Sequence, residues 1–307
     1  MKKKQFLAVF MAVSIFMSFA IFGCKGSSSE STRAITGAGD TGSGVESKEA
    51  EKTTKGSSST PSIEEAVVYE KDGIKITAKE YTTESIWGDG IKFLIENDTT
   101  KNIMVSCKAL IVNNYMISDL FATEVAAGKK TNETMHLSSS QLKQAGIDVI
   151  GLIECYFHIS DTDTYGTIAD SECVSIKTSL YNQMDTTADD SGEVLYNNGG
   201  IKIIGKYVND SDFWGSAVLF YIENSSDRNV SIQTENVSIN GFTFDAALFS
   251  STVYAGKKAY DKMTLLSSEL KENGIDSVNE ISLKFKIYDP DTYKDIAKSD
   301  EITFKAK

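Results

Sequence analysis

Histidine is nearly missing from this chain: 307 residues include only His136 and His158. Neither sits in a spacing that resembles a zinc site. A serine hydrolase needs a nucleophile, a base and an orienting acid, and no nucleophile elbow is visible. Catalysis by paired carboxylates is a matter of geometry, so a carboxylate hydrolase stands as the alternative to a chain that is not an enzyme. No cofactor is expected. Cations are also short, with 31 Lys and Arg against 43 Asp and Glu and a formal charge of -12. Nucleic acid is therefore excluded as a partner, because phosphate binding needs a concentrated cationic footprint. Cell-wall glycans and extracellular proteins are not excluded. Tryptophan occurs twice, cysteine four times and proline twice, whereas glycine is frequent.

What is present in quantity is a repeat. YEKDGIKITAKEYTTESIWGDGIKFLIEN at 69–97 returns as YNNGGIKIIGKYVNDSDFWGSAVLFYIEN at 196–224. Gly73 falls on Gly200, Trp87 on Trp214, Phe93 on Phe220 and Asn97 on Asn224. A match of that length is a tandem duplication. From Phe121, which aligns with Phe249, the second copy runs one residue longer, a length that a bulge or bend absorbs.

The first 24 residues, MKKKQFLAVFMAVSIFMSFAIFGC, place three lysines before an apolar run that ends at Gly23 and Cys24. That is the layout of an export signal, and Ile21-Phe22-Gly23-Cys24 resembles a bacterial lipoprotein cleavage box. Phe22 is bulkier than such a box usually carries, and an uncleaved membrane anchor is the alternative. The expectation is a signal peptide over 1–24 and a lipid on Cys24 that holds the chain to the outer face of the bacterial cell membrane. Loss of Lys2, Lys3 and Lys4 takes 31 cations to 28 against 43 acids, a net charge of -15. Residues 25–66 are rich in Ser, Thr, Gly and Glu, cannot bury enough apolar area to offset their ordering entropy, and read as a disordered tether.

Each copy, 67–178 and 196–307, alternates apolar and polar residues over short runs, the mark of a sheet with one buried face. Ile74 and Ile76 open the first copy, and Ile281, Leu283, Phe285 and Ile287 mark the clearest late strand of the second. Asn113-Asn114 and Asn240-Gly241 predict tight hairpins. The VAAGKK and VYAGKK segments read as solvated turns around Gly128 and Gly256. SSQLKQAGI and SSELKENGI predict a short helix with a serine cap, a glycine stop and Leu142 or Leu270 as anchor. About seven strands per copy predict a mainly β chain of two tandem immunoglobulin-like antiparallel β-sandwiches, each with one short helix. The strand order does not follow from the pattern. The acidic segment 179–195 reads as a linker and hinge, with a fixed interface between copies as the alternative.

With Cys24 assigned to lipid, Cys107, Cys155 and Cys173 remain, matched by Thr234, Leu283 and Glu301. Parity places Cys155 inward with Phe157 and Cys173 outward, so those two should not bond. Cys107 shares parity with Ile103 and Val105 and should face inward, which leaves a Cys107–Cys155 bridge or three thiols. His136 and His158 correspond to Thr264 and Lys286, and His158 should face outward.

Two constellations are candidates for binding. Asp161 and Asp163, with Tyr165, match Asp289 and Asp291, with Tyr293; close carboxylates in a turn suit calcium, although Asp-x-Asp is also ordinary turn chemistry. Trp87 and Trp214 stand in matching polar segments, where an exposed ring would stack on a sugar or anchor a protein and a buried one would cover the core.

The ordered set GIKI, (F/I)WG, IEN, AGKK, SSxLKxxGI and DxDTY resembles the duplicated sandwich domains of uncharacterised cell-surface lipoproteins of Gram-positive gut Clostridia. The resemblance covers residues 69–307 and implies fold and surface location, with no catalytic or binding residue transferred. The functional expectation is a lipid-anchored, non-enzymatic binding or adhesion protein, with an accessory lipoprotein of a transporter or surface enzyme complex as its rival.

Overall fold

Alternation decides most of the strands. Ile74 and Ile76, Phe93 and Ile95, and Ile153, Cys155, Phe157 and Ile159 are all buried, while their neighbours, Thr77 excepted, are less so. The computed structural model describes residues 60–84, 88–118, 120–208, 216–245 and 249–306. The first repeat runs through β1 (Ala66–Lys71), β2 (Ile74–Glu84), β3 (Gly88–Asn97), β4 (Ile103–Val112), β5 (Tyr115–Ile117), β6 (Ala122–Val125) and β7 (Lys129–His136). Helix α1 (Ser139–Gln144) follows, then β8 (Leu152–Asp161), β9 (Thr167–Asp170) and β10 (Val174–Lys177). The second repeat gives β11 (Glu193–Asn198), β12 (Ile201–Val208), β13 (Ala217–Asn224), β14 (Val230–Ile239), β15 (Phe242–Thr243), β16 (Ser250–Val253) and β17 (Lys258–Thr264). It closes with α2 (Ser267–Glu272), β18 (Glu280–Tyr288), β19 (Asp295–Lys298) and β20 (Ile302–Lys305).

The chain is mainly β, and among the described residues each repeat has ten strands where the sequence suggested about seven. The extra ones are short or weakly alternating. β5 and β6 pair with β4, β9 pairs with β8, and β1 pairs with β2. β1 and β11 start at Ala66 and Glu193, inside the stretches read as tether and linker, because most of their residues are exposed and carry no inward stripe.

Three sheets result. One is ordered β1-β2-β3-β7, another holds β15-β14-β18-β19 with β16 and β20, and a ten-stranded sheet runs β10-β8-β4-β5-β17-β13-β12-β11 with β6 and β9 alongside. Each repeat has a core built on three phenylalanines, and Ile204, Tyr221 and Tyr260 of the second repeat join the first core. Phe93 meets Phe121 and Phe157 at ring-centroid distances of 5.9 and 5.4 Å, and Phe220 meets Phe249 and Phe285 at 4.7 and 5.5 Å. These edge-on contacts suit the ring quadrupole.

Buried asparagines hold the connections in both copies. Asn97 donates from Nδ2 to the carbonyls of Lys101 and Val125 and accepts at Oδ1 from the backbone N–H and hydroxyl of Thr99. Asn224 does the same with Arg228, Val253 and Ser226. The hairpin asparagines carry positive φ as expected, 47° at Asn113 and 50° at Asn240. Their side chains also accept from two successive N–H groups, those of Gly151 and Leu152 or of Asn279 and Glu280. The helices end as predicted. Gly146 and Gly274 have φ of 68° and 66°, and the N–H of Ile147 or Ile275 returns to the carbonyl of Leu142 or Leu270 at 2.8 Å. Their starts differ from expectation: no serine side chain caps either helix, and Leu266 occupies the cap position in the second.

The ten-stranded sheet crosses from one repeat to the other. β5 runs parallel to β17, with Tyr115 opposite Lys258 and Met116 opposite Ala259, and the Lys258 N–H donates to the Asn114 carbonyl at 3.0 Å. Tyr115 stacks on Tyr260, Tyr156 meets Tyr254 edge-on, and Lys257 Nζ lies 2.5 Å from Glu154. The VYAGKK turn, expected in solvent, is therefore half of a seam, whereas Lys129 and Lys130 of VAAGKK are exposed. The segment expected to hinge is held as well. Thr186 accepts from Lys258, Ala188 packs on the first core, and Asp190 pairs with Lys202.

Candidate functional site

Equivalent strands make the site conspicuous. In the second repeat β16 and β17 lie side by side in two different sheets, and the groove beside them, about 290 Å³, is lined mostly by the first repeat, with Met116, Ser118 and Gln141 among its walls. The groove beside the corresponding strands of the first repeat, β6 and β7, measures about 460 Å³, and among the described residues none of the second repeat lines it. Phe121 and Leu137 are buried at its base, Leu120 is fully exposed at its rim, and Glu133, Thr134 and His136 line its β7 side. Gln141 of α1 fixes the loop at the other side, accepting from the Ser118 N–H at 2.6 Å and donating to its hydroxyl at 2.9 Å.

The carboxylates of the two grooves stand in different surroundings. Asp261, the counterpart of Glu133, is half-buried in the walled groove, where burial raises its pKa above the ordinary aspartate value and the Ser251 hydroxyl donates to it. Glu133 instead accepts from the Thr134 N–H at 3.1 Å. The open groove thus combines an apolar base, a carboxylate and a strand edge, a set that suits binding.

The sequence candidates lie elsewhere. Trp87 and Trp214 fall outside the described residues, as do Cys24, the signal segment and the tether through residue 59. Gly88 has φ of 81° and sits against Ser139. Asp161 is committed to its turn. Its Oδ1 accepts from the N–H groups of Asp163 and Thr164, and Lys101 reaches its other oxygen at 2.9 Å. Lys101 first, and the Thr164 N–H next, pull its pKa down to about 2. Asp289 caps the equivalent turn through Asp291 and Thr292. Tyr165 and Tyr293 take the positive φ these turns need, 56° and 58°, and stand exposed. Asp163 and Asp291 contribute their N–H groups to these caps, and Asp291 also meets Lys108 at 3.4 Å across the seam. Among the described residues no group of three or more His, Cys, Asp and Glu is arranged to hold a metal.

Cys155 is buried and Cys173 exposed, as parity required, and among the described residues the three cysteines form no disulfide. Cys107 is only half-buried because a bulge between Cys107 and Ala109 resets the register of β4 against β8, after which Leu110 and Val112 face the core. His158 faces outward and its Nδ1 lies 2.6 Å from Asp170, whose pKa it lowers.

No family model matches the chain, and a search of curated proteins returns no match. Among solved structures, a crystal structure of the YadV chaperone aligns over 76% of this chain and 100% of that chain, at 10% identity and a TM-score of 0.24. A superposition that loose carries no argument. Among the described residues no helix is long and apolar enough to cross a membrane.

The groove was missed in the sequence because its parts are ordinary. Glu133 against Asp261 and Ala122 against Ser250 look like drift between copies; only the differing neighbours of β7 and β17 separate the two grooves.

Proposed function

We propose that this chain is a lipid-anchored, non-enzymatic surface protein whose two immunoglobulin-like sandwiches form one arm, and that the arm binds an extracellular partner at the groove of the first repeat. The observation that supports it is the open β6–β7 groove, whose counterpart in the second repeat is walled by a neighbour. Cys24 supplies the anchor, the stretch 25–66 supplies reach, and the seam at β5 and β17 keeps the two repeats from swinging apart. An apolar base with an exposed leucine at the rim is the kind of surface that a partner covers.

Two measurements test the reading. Cys24→Ser should move the protein from the membrane fraction to the medium or leave it as an unprocessed precursor; full retention of a processed, unlipidated chain would remove the anchor. Leu120→Glu places a charge on a fully exposed side chain and should spare the fold while weakening saturable binding of the full chain to cell-wall sacculi or to mucin-coated surfaces. Equal binding by the variant, or none by either form, would turn attention to Trp87 and Trp214, whose fluorescence reports directly on ligand contact.

A further inference from the structure

Resting on that reading, we infer that the groove's partner is an extended polypeptide, which adds a strand to the outer edge of β7 and lays an apolar side chain over the base formed by Phe121 and Leu137. Three observations carry this. The first is an internal precedent: β17 stands where β7 stands in its own repeat, and its outer edge is occupied by a strand, β5, which also brings Met116 to the groove. Among the described residues the same edge on β7 ends its sheet.

The second is the state of that edge. Proteins blunt exposed edges with bulges, proline or very short strands. Among the described outer strands, β1 and β11 are bulged, and β10, β15 and β19 are four residues or shorter. β7 has eight residues in unbroken register with β3 from Lys129 to His136, and its two lysines stand only at its start.

The third is the direction of its hydrogen-bonding groups. The Leu137 N–H donates to Asp89, so alternation along an antiparallel pair sends the main-chain groups of Lys130, Asn132, Thr134 and His136 away from β3. Lys258, the counterpart of Lys130, uses that outward N–H to bond β5. At Thr134 the outward N–H meets Glu133, a flexible neighbour that an incoming carbonyl would displace.

A second copy of this chain is a poorer occupant. Its β15 is the counterpart of β5, but docking it on β7 would bring Glu235 towards Asp163 where the seam has Lys108 and Asp291, and Lys284 to Ala126 where the seam pairs Tyr156 with Tyr254.

The test pans the full chain, in detergent, against a library of linear peptides of about ten residues, the length of β7 with a little to spare. Selected peptides are then N-methylated one position at a time. Alternate N-methyl groups should weaken binding about tenfold or more and the intervening ones about twofold or less, since only every other N–H faces the protein edge. Asn132→Pro and Thr134→Pro remove outward donors without touching the β3 ladder, and each should cost binding about tenfold. Circular dichroism and amide exchange on β3 keep misfolding apart from loss of the edge.

Uniform tolerance of N-methylation, a three-to-four-residue pattern of loss, or no peptide selected would overturn the proposal. Protection of residues 133–137 by chitooligosaccharides in the absence of any peptide binding would also overturn it while leaving the groove as a binding site. Concentration-dependent association of the chain, abolished by Thr134→Pro, would assign the edge to a second copy and overturn it too.

Discussion

The two repeats agree inside and disagree outside. Each keeps a phenylalanine trio, a buried asparagine clamp at the end of its third or thirteenth strand, and a glycine-stopped helix with the same return bond. On the faces that meet at the seam the matches fail: Ile111 against Ser238, Tyr156 against Lys284, Glu154 against Ser282, Tyr260 against Asn132, and Tyr254 against Ala126. In each pair the apolar, aromatic or ion-paired member lies at the seam, and its small or polar counterpart lies away from it. A head-to-tail contact between identical repeats closes into a ring or propagates as an open array; the small and polar counterparts of the seam residues do not reproduce the contacts of this seam. What duplication conserved is the fold, and what diverged after it is the choice of neighbour.

Substitutions at matched positions bring out both halves of that contrast. The largest effect should come from Asn97→Ala and Asn224→Ala, each of which leaves two carbonyls without a fully buried partner; a loss of about 2–4 kcal/mol apiece is expected in urea unfolding. Values that differ by more than about 1 kcal/mol would break the claim that the interiors are equivalent. Next comes Lys257→Glu, which sets two carboxylates face to face where Lys257 and Glu154 are both mostly covered. It should cost about 2–3 kcal/mol and split unfolding into two transitions, while Lys129→Glu at the exposed counterpart stays within about 0.5 kcal/mol. Equal effects at the two lysines would argue that the seam does not form in solution.

The smallest effect is confined to acid. Asp161 is held at about 2 by Lys101 and backbone N–H groups, below its ordinary 3.8. The native state therefore binds fewer protons than the unfolded chain between those values, so the contribution is complete above pH 3.8 and lost as pH falls through about 2. Asp161→Asn should flatten the acid limb of the stability curve in that window. Asp289→Asn should flatten it less, since the Thr292 N–H lowers the Asp289 pKa chiefly from within the turn, with Lys294 a minor contributor.

Much of this was legible in the chain. Hairpins at Asn113-Asn114 and Asn240-Gly241, the inward parity of Cys155 and the outward parity of Cys173 follow from local rules of turn and pleat, which act within a few residues. The failures occurred where register changed or distant strands met. The β4 bulge turned Cys107 partly out of phase, and short strands such as β5 carry too few residues for alternation to show. The groove escaped notice for a related reason: Glu133, Leu137 and Phe121 are unremarkable one by one and converge only when β6 and β7 lie side by side.

By itself the sequence determined that there are two copies, that each is built of half-buried strands, and where its tightest turns fall, because repetition, period-two alternation and positive-φ residues are written locally. Only the tertiary structure decided which strand lies beside which. That choice joined β5 to β17 and, among the described residues, left β7 at the end of its sheet, since pairing partners in a sheet are selected by the fit of whole faces, a property that no single stretch of chain contains.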